Sequence, residues 1–283
     1  MEPYYYVNGE ILPASQATLK INDLTLLRGY GIFDFFRTSG GKPFLMDHYL
    51  KRFTNSASLM DLPIPLSIDE IRKIVLELIK KNGFKESGVR MVLTGGYTED
   101  GFTPGTPNYF IIIEPISLPD EKYYIHGIKL ITYEHLREWS SVKSINYLTP
   151  IKIRKDIINN KGYDVLYHFS GNILEVSRSN FFIIRNGILI TPEKNVLHGI
   201  TRKTVLNLAS DIMKVEERDL AVRELDTAEE AIITGTTKKV MPVTRIDDRV
   251  IGKGEPGPYT RRLQSMFDEF ERHAGSQSNI SDY

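Results

Sequence analysis

The sequence contains no cysteine. Disulfides, thiolate metal sites and cysteine nucleophiles are therefore excluded, and no metal site is expected. No stretch approaches the roughly 20 apolar residues of a membrane span, so no membrane partner is expected. Met1 to Gly9 lacks a basic region followed by an apolar one, so it does not read as a secretory signal, and the cytoplasm is the expected location. An excess of one charge is missing too, because 36 Lys and Arg balance 36 Asp and Glu. That balance gives no reason to expect nucleic acid or an anionic surface as partner. What remains is ordinary globular material, 41% hydrophobic and 25% charged over 283 residues, enough for one large domain or two smaller ones.

Patterning along the chain fills in the architecture. Asn8-Gly9 between Tyr4–Val7 and Glu10–Leu12 signals a hairpin, and Ser39-Gly40-Gly41 between Ile32–Thr38 and Lys42–Met46 signals a second. Asp47–Leu59 reads as a helix. Ile68–Lys81 is a clearer one, with Ile71, Ile74, Val75, Leu78 and Ile79 on one face, a capping box at Ser67 and Glu70, and a stop at Asn82-Gly83. Val89–Thr94 and Tyr109–Ile116 are apolar strands flanking Gly95–Asn108, a long polar loop of the kind that lines sites. After a linker over residues 119–126, strands are expected at Gly127–Tyr133, Val165–Phe169, Ile173–Val176, Asn180–Ile184, Ile188–Thr191 and Glu230–Thr234. Helices are expected at Thr149–Asn159, Thr201–Met213 and Tyr259–His273. Hairpins interleaved with helices argue for an α+β fold in two subdomains, residues 1–118 and 127–274, with a disordered tail over 275–283.

Two residues could carry chemistry together. Lys143 sits in Ser141-Val142-Lys143-Ser144-Ile145-Asn146-Tyr147, and Glu175 lies on a short apolar strand before Ser177 and Asn180. A pyridoxal phosphate site needs an amine to condense with the aldehyde and a carboxylate to keep the ring nitrogen protonated. If the chain is already helical at Lys143, Tyr147 shares its face and can reach a ring oxygen. A buried Glu175 needs a partner, either such a ring nitrogen or an arginine such as Arg178. Phosphate binding has three candidates. Leu197–Arg202 leads into a helix, with the Thr201 hydroxyl among free amides. Gly235-Thr236-Thr237 ends a strand with two hydroxyls, and Arg52 lies one turn after His48. Plain capping, a turn and a surface salt bridge are the structural alternatives for these three.

These residues in this order resemble the fold type IV pyridoxal-phosphate enzymes, the class IV aminotransferase family. That family includes branched-chain aminotransferases, D-amino-acid aminotransferases and aminodeoxychorismate lyases. The resemblance runs from Tyr6–Glu10 to Gly257–Gln264, and is most specific at Val142–Leu148, Asn180–Pro192 and Gly199–Arg202. It implies the two-subdomain fold of D-amino-acid aminotransferases, most of the cofactor ligands in the second subdomain, and a homodimer whose Gly95–Asn108 loop closes the partner's pocket. It implies Lys143 as the Schiff-base lysine and proton shuttle, Glu175 as the pyridinium partner and Tyr147 as the ring-oxygen partner. Arg52, Ile200, Thr201 and Thr236 become phosphate ligands. Thr236 and Thr237 lie near the substrate carboxylate, and Phe33 and Arg90 line the substrate pocket. The substrates implied are an amino acid and a 2-oxo acid.

Departures from the family pattern concern substrate rather than cofactor. Val176 stands for the usual Gly, Arg178 for a small residue, and Asp34 for Glu. Lys238–Pro242 replaces small residues, Glu, Ile and Thr. Asn146-Tyr147 favours an aminotransferase over the lyase branch. Arg90 fits the branched-chain branch, although Gly88 stands where that branch has Tyr. Gly95 lacks the carboxylate-capturing arginine of the D-amino-acid branch, and Phe33 lacks its tyrosine hydroxyl. The reading is a branched-chain-type L-amino-acid aminotransferase. The alternatives are an aminodeoxychorismate lyase, a D-amino-acid aminotransferase, and a pyridoxal-phosphate-binding protein without turnover.

Overall fold

Strand pairing and apolar burial sort the chain into two units, each with its own sheet. The computed structural model describes residues 2–276. Of these, residues 2–117, 142–146 and 274–276 form one unit, and residues 118–141 and 147–273 form the other.

The first unit is built from β1 (Tyr4–Val7), β2 (Glu10–Pro13), α1 (Leu24–Arg28), β3 (Gly31–Ser39), β4 (Lys42–Pro43), α2 (Met46–Leu59), α3 (Ile68–Asn82), β5 (Ser87–Thr94) and β6 (Tyr109–Pro115). The strands form one sheet in the order β2-β1-β6-β5-β3-β4. The Asn8-Gly9 and Gly40-Gly41 turns take positive φ, which glycine and asparagine tolerate. Helix α3 begins where the capping box places it. The Ser67 Oγ accepts from Glu70 N at 3.3 Å, the Glu70 carboxylate accepts from Ser67 N at 2.7 Å, and Gly83 ends the helix at φ +63°. Its apolar face buries Ile71, Val75 and Leu78, while α2 buries Tyr49, Leu50 and Phe53. Phe36 packs on Tyr49, and Phe53 on Tyr109, at centroid separations of 5.6 and 5.9 Å.

The short helix α1 carries no apolar period to announce it. It forms because Asp23, wholly buried, caps it. That carboxylate accepts from Thr25 N, Thr94 Oγ1 and Asn108 Nδ2 at 2.7–2.8 Å, fastening the helix to both ends of the Gly95–Asn108 loop. The loop is itself internally bonded. Gly105 N donates to Gly95 O at 2.9 Å, and Asp100 accepts from Thr98, Phe102 and Thr103, bonds that hold its carboxyl well below the usual carboxylate range.

The second unit contains α4 (Lys122–His126), β7 (Ile128–Glu134), α5 (Leu148–Lys152), α6 (Arg154–Asn159), β8 (Asp164–Phe169), β9 (Asn172–Val176), β10 (Asn180–Arg185) and β11 (Ile188–Thr191). It continues with α7 (Ile200–Ser210), β12 (Lys214–Glu217), β13 (Leu220–Ala221), β14 (Glu230–Gly235), β15 (Lys239–Ile246), β16 (Arg249–Val250) and α8 (Pro258–Ser276). Among the described residues its strands run β12-β11-β10-β14-β15-β7-β8-β9-β13, with β16 on β15. Phe181, Ile183, Ile233, Met241, Leu130 and Leu166 are buried in its main apolar cluster. Glu230, also buried, accepts from the Tyr259 and Thr260 amides at 3.1 and 2.7 Å and so starts α8, and Gly257 has no room for a Cβ beside it.

Several expectations need correction. The 119–126 linker contains a helical turn, α4, whose Gly127 amide closes on Tyr123 O. The single helix expected over 149–159 is broken at Ile153, and Ile153 and Ile157 both bury against Ile131 and Val165. Strand β15 is central despite Pro242. The proline faces Ile232 of β14, and pairing to β7 begins only at Val243, so the missing N–H disrupts no ladder bond. Residues 142–146 belong to the first unit, not to the 127–274 subdomain, because Lys143 O and Ile145 N bond to the backbone of Phe33 and Gly31. Helix α8 runs on through Gly275 and Ser276, and the rest of the expected tail lies outside the described residues.

Candidate active site

In the first unit the Lys143 segment is extended and adds to the edge of β3. Phe33 N donates to Lys143 O at 3.0 Å, Ile145 N donates to Gly31 O at 3.2 Å, and Ser144 bridges Ile32. Lys143 N also donates to the Ser56 Oγ at 3.2 Å. The backbone of Lys143 is thus fixed from both sides, leaving the four-carbon arm to position the amine. Its Nζ lies 4.5 Å from the Phe33 ring centroid, a cation–π distance. The helix begins only at Leu148, with Tyr147 at its N-cap, so the shared helical face of Lys143 and Tyr147 does not form.

Arg52 makes more than a surface salt bridge. Its Nε and Nη2 grip the Asp34 carboxylate at 2.9 and 2.6 Å, Asp34 is wholly buried, and Arg52 is 11% exposed. This bidentate pair fixes the guanidinium plane. Arg90 bonds Glu114 at 2.9 Å and spans the Phe33 and Phe35 rings at 5.8 and 5.1 Å. Two glycines beside these residues are filled positions. A Cβ at Gly88 would lie 2.8 Å from the Phe35 ring, and one at Gly95 would lie 2.7 Å from Tyr30 and 2.9 Å from Leu24.

In the second unit, Glu175 is buried on β9. Its carboxylate accepts from Arg137 Nε at 2.7 Å and from Leu197 N at 3.0 Å. Arg137 also donates to Ser140 O at 2.6 Å. The arginine partner is therefore Arg137, whereas Arg178 is exposed. Asn180, two residues past the 176–178 turn, donates to Leu197 O at 2.6 Å, and its Oδ1 occupies the space a Cβ would need at Gly199. That close approach requires glycine just before α7, whose first turn carries Ile200 and the buried Thr201 with amides that have no intrahelical acceptor. Thr236 and Thr237 sit half-buried in the turn joining β14 to β15. Val176 fits where glycine is usual because its backbone stays extended in β9 and its side chain is buried in the core.

This donor set fits a phosphorylated aldehyde with a basic ring nitrogen. The carboxylate at 175 is paired and buried. The amides at 200–201 and the hydroxyls at 201 and 236, all in the second unit, suit a phosphate. Two buried hydroxyls in the second unit, Tyr167 and Thr234, have no hydrogen-bond partner among the described residues. Burial, then Asp164, pushes the Tyr167 phenol far above its ordinary range, Arg137 opposes, and Glu175 and Tyr147 add. Arg137, Tyr167 and the pairing of Asp34 with Arg52 carry no local motif, because each acts through partners 18 or more positions away or through burial.

The class IV amino-transferase family model matches residues 31–246. The chain belongs to that family, and its fold is that of the fold type IV aminotransferases. A putative branched-chain-amino-acid aminotransferase of Methanocaldococcus jannaschii is 33% identical over 284 residues, covering 95% of this chain and 97% of the relative. A D-alanine aminotransferase of Staphylococcus haemolyticus is 28% identical, covering 94% of this chain and 96% of the relative. Among solved structures, the Escherichia coli branched-chain amino acid aminotransferase superposes with a TM-score of 0.88 at 25% identity, covering 95% of this chain and 94% of that one. No helix among the described residues is long and apolar enough to cross a membrane.

Proposed function

We propose that the chain is a pyridoxal-phosphate-dependent aminotransferase acting on branched-chain L-amino acids and their 2-oxo acids, as a cytoplasmic homodimer. The substrate reading rests on one observation: position 95 has no room for the arginine a D-amino-acid enzyme uses to capture a carboxylate, because Tyr30 and Leu24 fill that space. The aromatic surface supports an aliphatic side chain, since the Phe35 ring takes the volume beside Gly88, and Phe33, two residues before Phe35 on β3, shares its face.

Lys143 would supply the amine that holds the cofactor at its aldehyde carbon, and the same amine would take the proton of the substrate α-carbon and return it. Glu175, held in place by Arg137 and the Leu197 amide, keeps the proton on the ring nitrogen. Pyridoxal phosphate, when bound, supplies the electron sink for the α-carbon. Arg52, the amides of Ile200 and Thr201, and the Thr201 and Thr236 hydroxyls bind the phosphate. Tyr147 donates to the ring oxygen, and Thr236 and Thr237 bind the substrate carboxylate. Phe33 and Arg90 bound the side-chain pocket.

The test is a spectrum of the cofactor-loaded protein with single amino acids. L-leucine, L-isoleucine or L-valine should bleach the yellow form to the pyridoxamine form, and D-alanine should not. Bleaching by D-alanine alone would replace this reading with the D-amino-acid one. Pyruvate released from aminodeoxychorismate without any amino acceptor would replace it with the lyase.

A further inference from the structure

The half-buried Lys239 pairs with Asp268 and Glu271 of α8, which accounts for its charge. Its neighbour Lys238 behaves differently. It is 5% exposed, its Nζ donates to Ser179 Oγ at 2.9 Å, and it lies 3.4 Å from Asp164 Oδ2. The Lys238 amide closes the turn onto Gly235 O at 3.1 Å, and its carbonyl accepts from the Tyr124 hydroxyl at 3.1 Å. Asp164, equally buried, accepts from Val165 N at 2.9 Å and from Ser177 Oγ at 2.6 Å. Gly235 packs within 3.3 Å, at its would-be Cβ, of Ser179 Oγ and Arg178 O. A buried lysine is costly unless paired, and here burial pulls its proton affinity down while Asp164 restores part of it. One departure from the family pattern, Lys238, is thus buried against a single carboxylate, Asp164, while the backbone of another, Arg178, packs on Gly235 at the start of the same turn.

We propose that Lys238 is a positioning residue that pins the Gly235–Lys238 turn, and with it the Thr236 and Thr237 hydroxyls, to the start of β8 and to the turn that follows Glu175. Those three segments meet at its ammonium. Ser177, two residues after Glu175, and Lys238, two residues after Thr236, meet at the same Asp164 carboxylate. The inference rests on the proposed function, which makes Thr236 and Thr237 ligands of the phosphate and the substrate carboxylate.

The experiment compares the cofactor-loaded wild-type chain with Lys238→Met and with Lys238→Met/Asp164→Asn. It reads the dissociation constant of pyridoxal phosphate from its absorbance, the melting temperature, and KM and kcat for the amino acid. A ligand turn displaced by a fraction of an ångström should raise KM about tenfold and weaken cofactor binding several-fold, with kcat changed much less. The double variant should recover the melting temperature, since no buried charge is left alone, and keep the raised KM. If the single variant is insoluble, the double variant decides. Wild-type KM and cofactor affinity in the double variant would reduce Lys238 to a structural ion pair and overturn the inference. Failure of the underlying functional reading is distinguishable, because the wild type itself would then show no cofactor absorbance, and both would fall.

Discussion

Replacing Lys143 by alanine should abolish useful turnover and leave the protein folded. The covalent hold on the cofactor and the proton transfer both go with the amine, and a general acid–base group alone is worth about 10²–10⁴-fold. The fold should survive because the structural bonds of residue 143 are backbone bonds. Its carbonyl accepts from Phe33 N and its amide donates to Ser56 Oγ whatever the side chain. The side chain is half-buried and lies against Phe33, so the stability change should stay within about 1 kcal/mol. The checks are steady-state kinetics with L-leucine and a thermal melt. A variant that turns over at the wild-type rate would remove Lys143 from the chemistry, and one that fails to fold would give it a structural role the backbone does not suggest.

Glu175→Gln should produce the second large loss, with a different signature. An amide cannot hold a proton on a ring nitrogen electrostatically, and losing one preorganised charge partner costs roughly 10²–10³-fold in kcat. It also breaks the pair with Arg137, which leaves a half-buried guanidinium opposite an amide. Removing one member of a fully buried ion pair typically costs about 3–5 kcal/mol, and the loss here should fall below that because Arg137 is partly exposed and keeps its bond to Ser140 O. The two losses separate in a double variant. Arg137→Met with Glu175→Leu should regain most of the melting temperature but none of the turnover. Recovery of turnover in that double variant would mean that the carboxylate serves the fold only.

Much of the second unit was legible because its elements carry their own punctuation. Asn180-Phe181-Phe182 reads as a buried strand, and Gly199-Ile200-Thr201 reads as a helix start, and both are observed. Ser67 and Glu70 marked the start of α3 to the residue. Elements stabilised by distant partners were not legible. Helix α1 depends on Asp23 meeting Thr94 and Asn108, more than seventy residues away. Strand β15 hides behind Lys239 and Pro242, and its place is set by β14 and β7. The same division runs through the site. Lys143 and Glu175 are expected as site residues from their neighbours in sequence together with the family resemblance. Arg137 holds Glu175 from 38 positions away, and Asp34 holds Arg52 from 18 away, and neither spacing marks a shared element. Lys238 was visible as a departure, but its burial against Asp164 and Ser179 needed the fold. Family membership also removes the reading of a cofactor-binding protein without turnover.

The most direct test of the whole account is borohydride reduction of the pyridoxal-phosphate-loaded protein, followed by peptide mapping. The phosphopyridoxyl group should appear on the peptide containing Lys143, and on no other lysine. A label on Lys238 or elsewhere, or no label at all, would contradict it.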